Sequence, residues 1–439
     1  MQWRAEHSRT ANSVPDKFFL TTENWPAVSR VATCMPFLLL WATTVSAQIV
    51  RFPIDLDGKM RVRNEADGRD FQGDSALSTY TLLRTRLGAR AVPVSNLVVY
   101  VQVQDARTLR GDPNTLPGKS NLDLHQAYFI VQNLWGRPMA VQVGRQELAY
   151  GNQRVIGTVD FSNLGRSLDG VKLTFGRQSP LDLFMMTVSR SKAPVLGAAT
   201  PAATAGLESK ENNLFGAYYQ YRPNSDSNLH LYGLFESNHE KAANGHAELD
   251  RATLGTYGKS RIGRVRFETE VGLQIGKRQG QNVRAFLASA SVNYTFDAPS
   301  RPGLTIGYDY LSGMKPGDKD FKVFDTSLAT NHNFYGFMDY FIDIPLNTNG
   351  QGLRDFSVKS KMPLAAKWNL SAHYHNFRAA RGERKNFGNE FDFILSYVYN
   401  AAASLQFGLT FFAPGDLIER DFLNDDVGVW SYTTLLIDF

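Results

Sequence analysis

Residues 264–276 read RVRFETEVGLQIG. Arg264, Arg266, Glu268, Glu270, Gly272, Gln274 and Gly276 share one parity, while Val265, Phe267, Thr269, Val271, Leu273 and Ile275 share the other. Successive side chains of an extended chain point to opposite sides, so this alternation describes a strand with one polar and one apolar face. Residues 404–412 repeat it with Leu405, Phe407, Leu409 and Phe411 on the apolar face, and residues 389–399 with Phe391, Phe393, Leu395, Tyr397 and Tyr399. A soluble sandwich alternates in the same way, so the connections decide the class.

Short turn-forming stretches at 92–96, 177–180, 222–226, 297–302 and 363–366 follow every second strand. Between them run long polar links, at 65–77, 108–120, 150–165, 191–211, 240–247, 313–351, 379–387 and 413–427. Strict short-long alternation is the signature of an outer-membrane barrel with periplasmic turns and extracellular loops. The alternating segments predict an all-β, transmembrane, antiparallel up-and-down barrel of about 18 strands. The chain ends in VGVWSYTTLLIDF, with Val429, Leu435, Ile437 and the terminal Phe439 on one face. That ending resembles the signal read by the bacterial barrel-assembly machinery. Tyr294, Phe296, Trp368 and Trp430 near strand ends are expected in the aromatic girdles at headgroup level.

The 439 residues carry 47 Lys and Arg against 42 Asp and Glu, a net charge of +5, which is too small for a dedicated nucleic-acid binder. Mean hydropathy is −0.28. The one strongly apolar run, residues 31–47 (VATCMPFLLLWATTVSA), follows Arg30 and ends in small residues. It reads as a secretory signal with an extended n-region, cleaved before Gln48, so that residues 48–439 form a single barrel domain. Its removal takes four basic and three acidic residues and leaves a net +4. It also removes Cys34, the one cysteine, and with it any disulfide, thiolate metal site or cysteine nucleophile.

A barrel of this size leaves a water-filled lumen, so function is read from the inward faces. Arg61 and Arg63 align with Asp57 and Lys59, and Arg84, Arg86 and Arg90 share a face opposed by Leu83, Leu87 and Ala89. The charged faces are expected inward, because a lipid-facing Arg costs about 2–4 kcal/mol at the midplane. Arg145, Arg154, Arg166 and Lys172 join them from the fifth and sixth strands and their loop, with Asp105, Asp123, Glu147 and Asp169 as carboxylate partners. These charges either brace the wall as ladders or form a positive constriction that draws anions inward. Arg suits carboxylates because its planar fork binds them bidentately.

The segments RTRLGAR (84–90), VQVQDAR (101–107), LDLHQAY (122–128), VGRQELAYGNQRVIG (143–157) and RSLDGVKL (166–173), with NHNFYGFMDYF (331–341), together resemble the alginate export family of outer-membrane porins. The resemblance spans 51–439 and is tightest over 80–175. It implies a monomeric 18-stranded barrel with an arginine-rich pore that, in the type member, passes alginate. By motif position, Arg84, Arg86, Arg107, Arg145, Arg154 and Arg166 would line the pore, with Asp105, Asp123 and Asp169 as ion-pair partners. The segment RSLDG departs from the family pattern, which has an aromatic before the Asp. The family name leaves the cargo open between an anionic polysaccharide and small organic or aromatic acids.

His373 and His375 share a strand face but spacing fixes no third ligand beside them, so they read as lumen-lining residues and no cofactor is expected. His239 and His246 fall in a surface loop, and Glu419, Asp421, Asp425 and Asp426 offer surface ligands for Ca²⁺. No phosphate loop, nucleophile elbow or zinc-protease helix is present in the sequence. A barrel lipid hydrolase would need a triad near the lipid face, for which Ser371 and His373 are two members without a third. The mature chain is expected to begin at Gln48, which amino-terminal sequencing of the outer-membrane fraction checks.

Overall fold

The computed structural model describes residues 52–439, apart from 72, 74–75, 110–121, 189–211, 239–240, 243–244, 247 and 423–424. The signal segment 1–47, His239, most of the 108–120 link and the 191–211 link therefore lie outside the described residues, as do the side chains of His246 and Asp421. Eighteen strands make the wall. They are β1 (Ile54–Gly68), β2 (Ser78–Val94), β3 (Leu97–Leu109), β4 (Leu122–Gln132), β5 (Met139–Gln146) and β6 (Leu168–Phe175). Then come β7 (Leu181–Thr187), β8 (Asn212–Tyr221), β9 (Ser227–Asn238), β10 (Leu249–Ile262), β11 (Val265–Arg278) and β12 (Gln281–Thr295). The last six are β13 (Gly303–Leu311), β14 (Leu353–Ala365), β15 (Trp368–Ala379), β16 (Asn386–Val398), β17 (Ala403–Pro414) and β18 (Gly428–Asp438). Each pairs antiparallel with its chain neighbours, and β18 returns to β1 in the register Lys59↔Asp438 to Gly68↔Val429. The terminal Phe439 completes the seam by exchanging backbone hydrogen bonds with Gly58 at 2.7 and 2.9 Å.

Closure satisfies the backbone of every strand, the one arrangement other than a helix that hydrocarbon tolerates. The alternation orients the faces as the sequence predicts. On β11, Phe267, Val271, Leu273 and Ile275 are exposed on the outside, and Glu270 and Gln274 are buried inside. Phe391 and Phe393 on β16, and Phe407 and Leu409 on β17, extend the same lipid-facing band.

Two expectations are corrected. The short-long rhythm breaks once, because β11 and β12 join through Gln279 and Gly280 alone on the side of the long links. Trp430 is not a girdle residue: it is 1% exposed, and its indole N–H donates to Glu65 at 3.0 Å inside the barrel. Its parity explains this, since Val429 and Leu435 occupy the opposite face of β18.

The lumen is not empty. The segment 312–352 between β13 and β14 packs Phe324, Tyr335, Met338, Phe341 and Ile344 against Leu287, Leu311, Leu353, Phe377, Phe412 and Trp430 of the wall. The segment 147–167 between β5 and β6 inserts Leu148, Tyr150 and Ile156 against Phe184, Leu214, Tyr218 and Tyr232. Burying each such side chain stabilises by about 1.5–3 kcal/mol, so both segments have a hydrophobic core of their own with the wall.

Close approach demands glycine at Gly408 on β17. A Cβ there would stand 2.0 Å from the Tyr432 ring, which is buried and donates to Gln406 at 2.8 Å. Gly408→Val is expected to destabilise the barrel by about 1–3 kcal/mol, read as a lower temperature for loss of the folded band in heat-modifiability electrophoresis.

Candidate permeation pathway in the loop-filled lumen

Arg61 and Arg63 on β1 and Arg84 and Arg86 on β2 all face inward and are at most 6% exposed. They converge on one stretch of the inserted segment, residues 160–164. Arg61 donates to the carbonyls of Asp160 (2.8 Å) and Ser162 (2.7 Å), and Arg63 to that of Phe161 (2.7 Å). Arg84 reaches the Asp160 carbonyl at 2.9 Å and its carboxylate at 2.9 Å. Arg86 takes the same carboxylate at 3.0 Å and the Leu164 carbonyl at 3.1 Å. Lys59 lies 3.9 Å from Asp160. Asp160 carries no motif signal in the sequence, yet it is the carboxylate on which these cations centre.

Carbonyl acceptors satisfy guanidinium donors without cancelling their charge. Glu65 offsets Arg63 at 2.7 Å, and Glu147 lies 3.6 Å from Arg86 and 2.8 Å from His125. Among the described residues no carboxylate lies within salt-bridge distance of Arg61. Beneath this clamp is a cavity of about 350 Å³ lined by Lys59, Arg61, Arg63 and Arg84, with Asp160 as its carboxylate. Phe161, His332 and Phe337 supply its rings. Phe161 stacks on His332 at 3.5 Å and lies under the Arg63 guanidinium at 4.0 Å, so the two inserted segments and the wall meet here. A larger groove of about 480 Å³ is lined by Leu173, Leu183, Met185, Phe215, Phe235 and Leu254. It lies on the lipid-facing side and is no part of the lumen.

The remaining cations divide. Arg154 is fully engaged across the lumen, with Asp309 at 2.5 Å, the Tyr335 hydroxyl at 3.1 Å, Glu270 at 3.7 Å and the Phe334 ring at 3.9 Å. Arg166 donates to the carbonyls of Ser327 (2.8 Å) and Leu328 and so ties the two inserted segments together. Lys172 faces inward, in register with Gln142 and Phe184. Arg107 and Arg145 do not face the lumen. Arg107 pairs across β2–β3 with the outward Leu83, and its ion-pair partner Asp105 with Thr85. Arg145 forks onto Asp169 at 2.8 and 2.9 Å, with Asp123 at 3.7 Å, in register with Ala127 on the outward row. These outward pairs sit at the loop ends of their strands, where a lipid-facing charge costs about 0–1 kcal/mol rather than the midplane value. Ser371 and His373 are on a strand face directed away from lipid, opposite to what a lipid hydrolase requires.

Burial alone would raise the Asp160 carboxyl, but Arg84, Arg86, Lys59 and Arg61 hold it below its ordinary value of 3.8. A depressed carboxyl contributes in full above its ordinary value and loses that contribution as pH falls through the lower one. Single-channel conductance is therefore expected to stay level down to about pH 4 and to change below it as the clamp weakens. In Asp160→Asn the altered conductance should already be present at neutral pH.

The family profile described as "Alginate export" matches residues 52–422. No curated protein matches the chain. Among solved structures, Pseudomonas aeruginosa OccK8 (OprE) superposes with a TM-score of 0.57 at 15% identity, over 88% of this chain and 98% of that one. A BenF-like porin from Pseudomonas fluorescens Pf-5 gives 0.58 at 10% identity, and P. aeruginosa OpdK with vanillate gives 0.55 at 11%, each over 88% of this chain and 98% of that one. At these identities the likeness is one of fold.

Proposed function

Because the chain belongs to the alginate export family and is a porin of the bacterial outer membrane, we propose that its lumen is a passive pathway for anionic solutes, with small carboxylates as the class passed while both segments are inserted. The observation that carries this is Arg61, a buried cation at the edge of the cationic cavity whose hydrogen bonds go to carbonyls and which forms no salt bridge among the described residues. At about 6 Å, one such charge is worth about 3 kcal/mol to an anion at an effective dielectric of about 20. The arginines thus brace the segment and attract the solute together.

Size favours a small acid over a polymer. A cavity of about 350 Å³ matches the lower range of small-molecule sites, and its Phe161 and Phe337 rings beside guanidinium groups suit an aromatic or sugar carboxylate. OpdK, solved with vanillate, is a structural neighbour consistent with the aromatic version. An alginate-like polyuronate is the second reading, favoured by the family, and it requires residues 160–164 to leave the wall. In either reading the pore works as a monomer, takes no cofactor for conduction, and reaches the membrane through assembly machinery that reads the exposed terminal Phe439.

Reversal potentials across planar bilayers under a salt gradient test the charge preference. The wild type is expected to favour anions, and Arg61→Gln with Arg84→Gln to lose most of that preference. Arg107→Gln and Arg145→Gln, on the outer face, should leave it unchanged. Cation preference in the wild type, or equal loss in the two pairs of variants, defeats the proposal. Proteoliposome swelling with benzoate, glucuronate and oligouronates then separates the two cargo classes.

A further inference from the structure

Away from the arginine clamp, the wall formed by β14, β15 and β16 carries an unusual inward row. Lys359, His373 and Asp392 are directly opposite one another across the three strands, and Ser357, His375 and Glu390 form the next such row. His375, Glu390 and Asp392 are each 0% exposed. We propose that His373, His375 and Asp392 bind a divalent transition-metal ion of the zinc class beneath the inserted segment 312–352.

Three observations converge. One imidazole or carboxylate atom from each of the three residues lies within 4.8 Å of the others. Ligands around a zinc ion at about 2.0–2.1 Å stand closer than this, so side-chain rotations of about 1 Å would close the set. The histidine donor atoms are also unspent: His375 Nε2 and His373 Nδ1 are buried without a hydrogen-bond partner, and the Asp392 carboxyl is buried beside that of Glu390. A buried polar atom left unpaired costs about 1–3 kcal/mol, so two at one point describe a site built for something else. Finally, His375 Nδ1 lies 2.8 Å from Asp355. An imidazole whose Nδ1–H is held by a carboxylate presents its Nε2 lone pair, which is the arrangement that orients metal-binding histidines.

Charge points the same way. Asp355, Glu390 and Asp392 are packed with one ammonium, Lys359, while Asp309 is already paired with Arg154. Three buried carboxyls beside one ammonium must either hold protons or take a cation, and a divalent ion is one that would meet that need. Glu390 accepts from the Met338 backbone N–H at 2.9 Å, and a Cβ on Gly336 would touch its carboxylate. An ion here would therefore lie directly under the seat of the inserted segment. His373 is the least buried of the three residues.

The test uses the tag-free mature barrel in detergent, with Zn²⁺ and Co²⁺ as probes. One Co²⁺ per barrel is expected, with visible d–d absorption of nitrogen and oxygen ligation, displaced by Zn²⁺. Zn²⁺ should also raise the thermal midpoint of the wild type, a readout that needs no variant. His375→Gln and Asp392→Asn should abolish the absorption while heat-modifiable migration shows that the barrel is still closed. Asp355→Asn, a positioning change, should weaken binding by about 10–100-fold. No stoichiometric binding by the wild type, or a Co²⁺ spectrum that survives unaltered in His375→Gln, overturns the assignment.

Discussion

Everything in this molecule depends on the backbone hydrogen bond at membrane depth. Hydrocarbon offers no partner to an N–H or C=O, so a chain that crosses with strands must leave no edge. The pairing of β18 with β1, sealed by the bonds between Gly58 and Phe439, meets that demand. Once the sheet is closed, alternation becomes a sorting rule in which each strand gives one face to lipid and one to the lumen. The average hydropathy of such a chain resembles that of a soluble protein because the two faces cancel.

Closure at eighteen strands creates a second problem, a lumen too wide for wall side chains to fill. Two inserted segments answer it, each with a hydrophobic contact area and a polar anchor. The segment 147–167 is held by arginines that bond to its carbonyls. The segment 312–352 is held by Asp325, which meets Arg251 at 2.7 Å and Arg278 at 3.3 Å, and by Glu390 beneath Met338. The same arginine can thus hold a segment and keep its field, whereas Arg154, surrounded by carboxylates, has given its field up. In the proposed reading, bracing and attraction are not alternatives; the identity of the acceptor separates them.

The corrections have one origin. Trp430 near a strand end suggested a headgroup girdle, but face is set by parity, and its parity is that of the lumen. Arg107 by motif position, and Arg145 by motif position and because outward charge is costly, pointed to the pore, but that cost falls steeply toward the loop ends of the strands. Asp160 carried no signal in the sequence at all. Its importance comes from where a loop turns back into the barrel, which no local pattern encodes. His373 and His375 were visible as a pair, but Asp392 becomes their neighbour only through the β15–β16 register.

The sequence by itself determined the barrel, the faces of its clearly alternating strands, most of its short and long ends and the family, because these follow from period-2 alternation, turn chemistry and local motifs. Only the tertiary structure decided which arginines share the cavity, which carboxylate they centre on, and which groups surround the histidine pair. Those facts depend on strand register and on the inward fold of two long segments. Both are set by contacts between residues far apart in the chain, such as Arg61 with Asp160 and Arg154 with Asp309, and spacing along a sequence carries no measure of them.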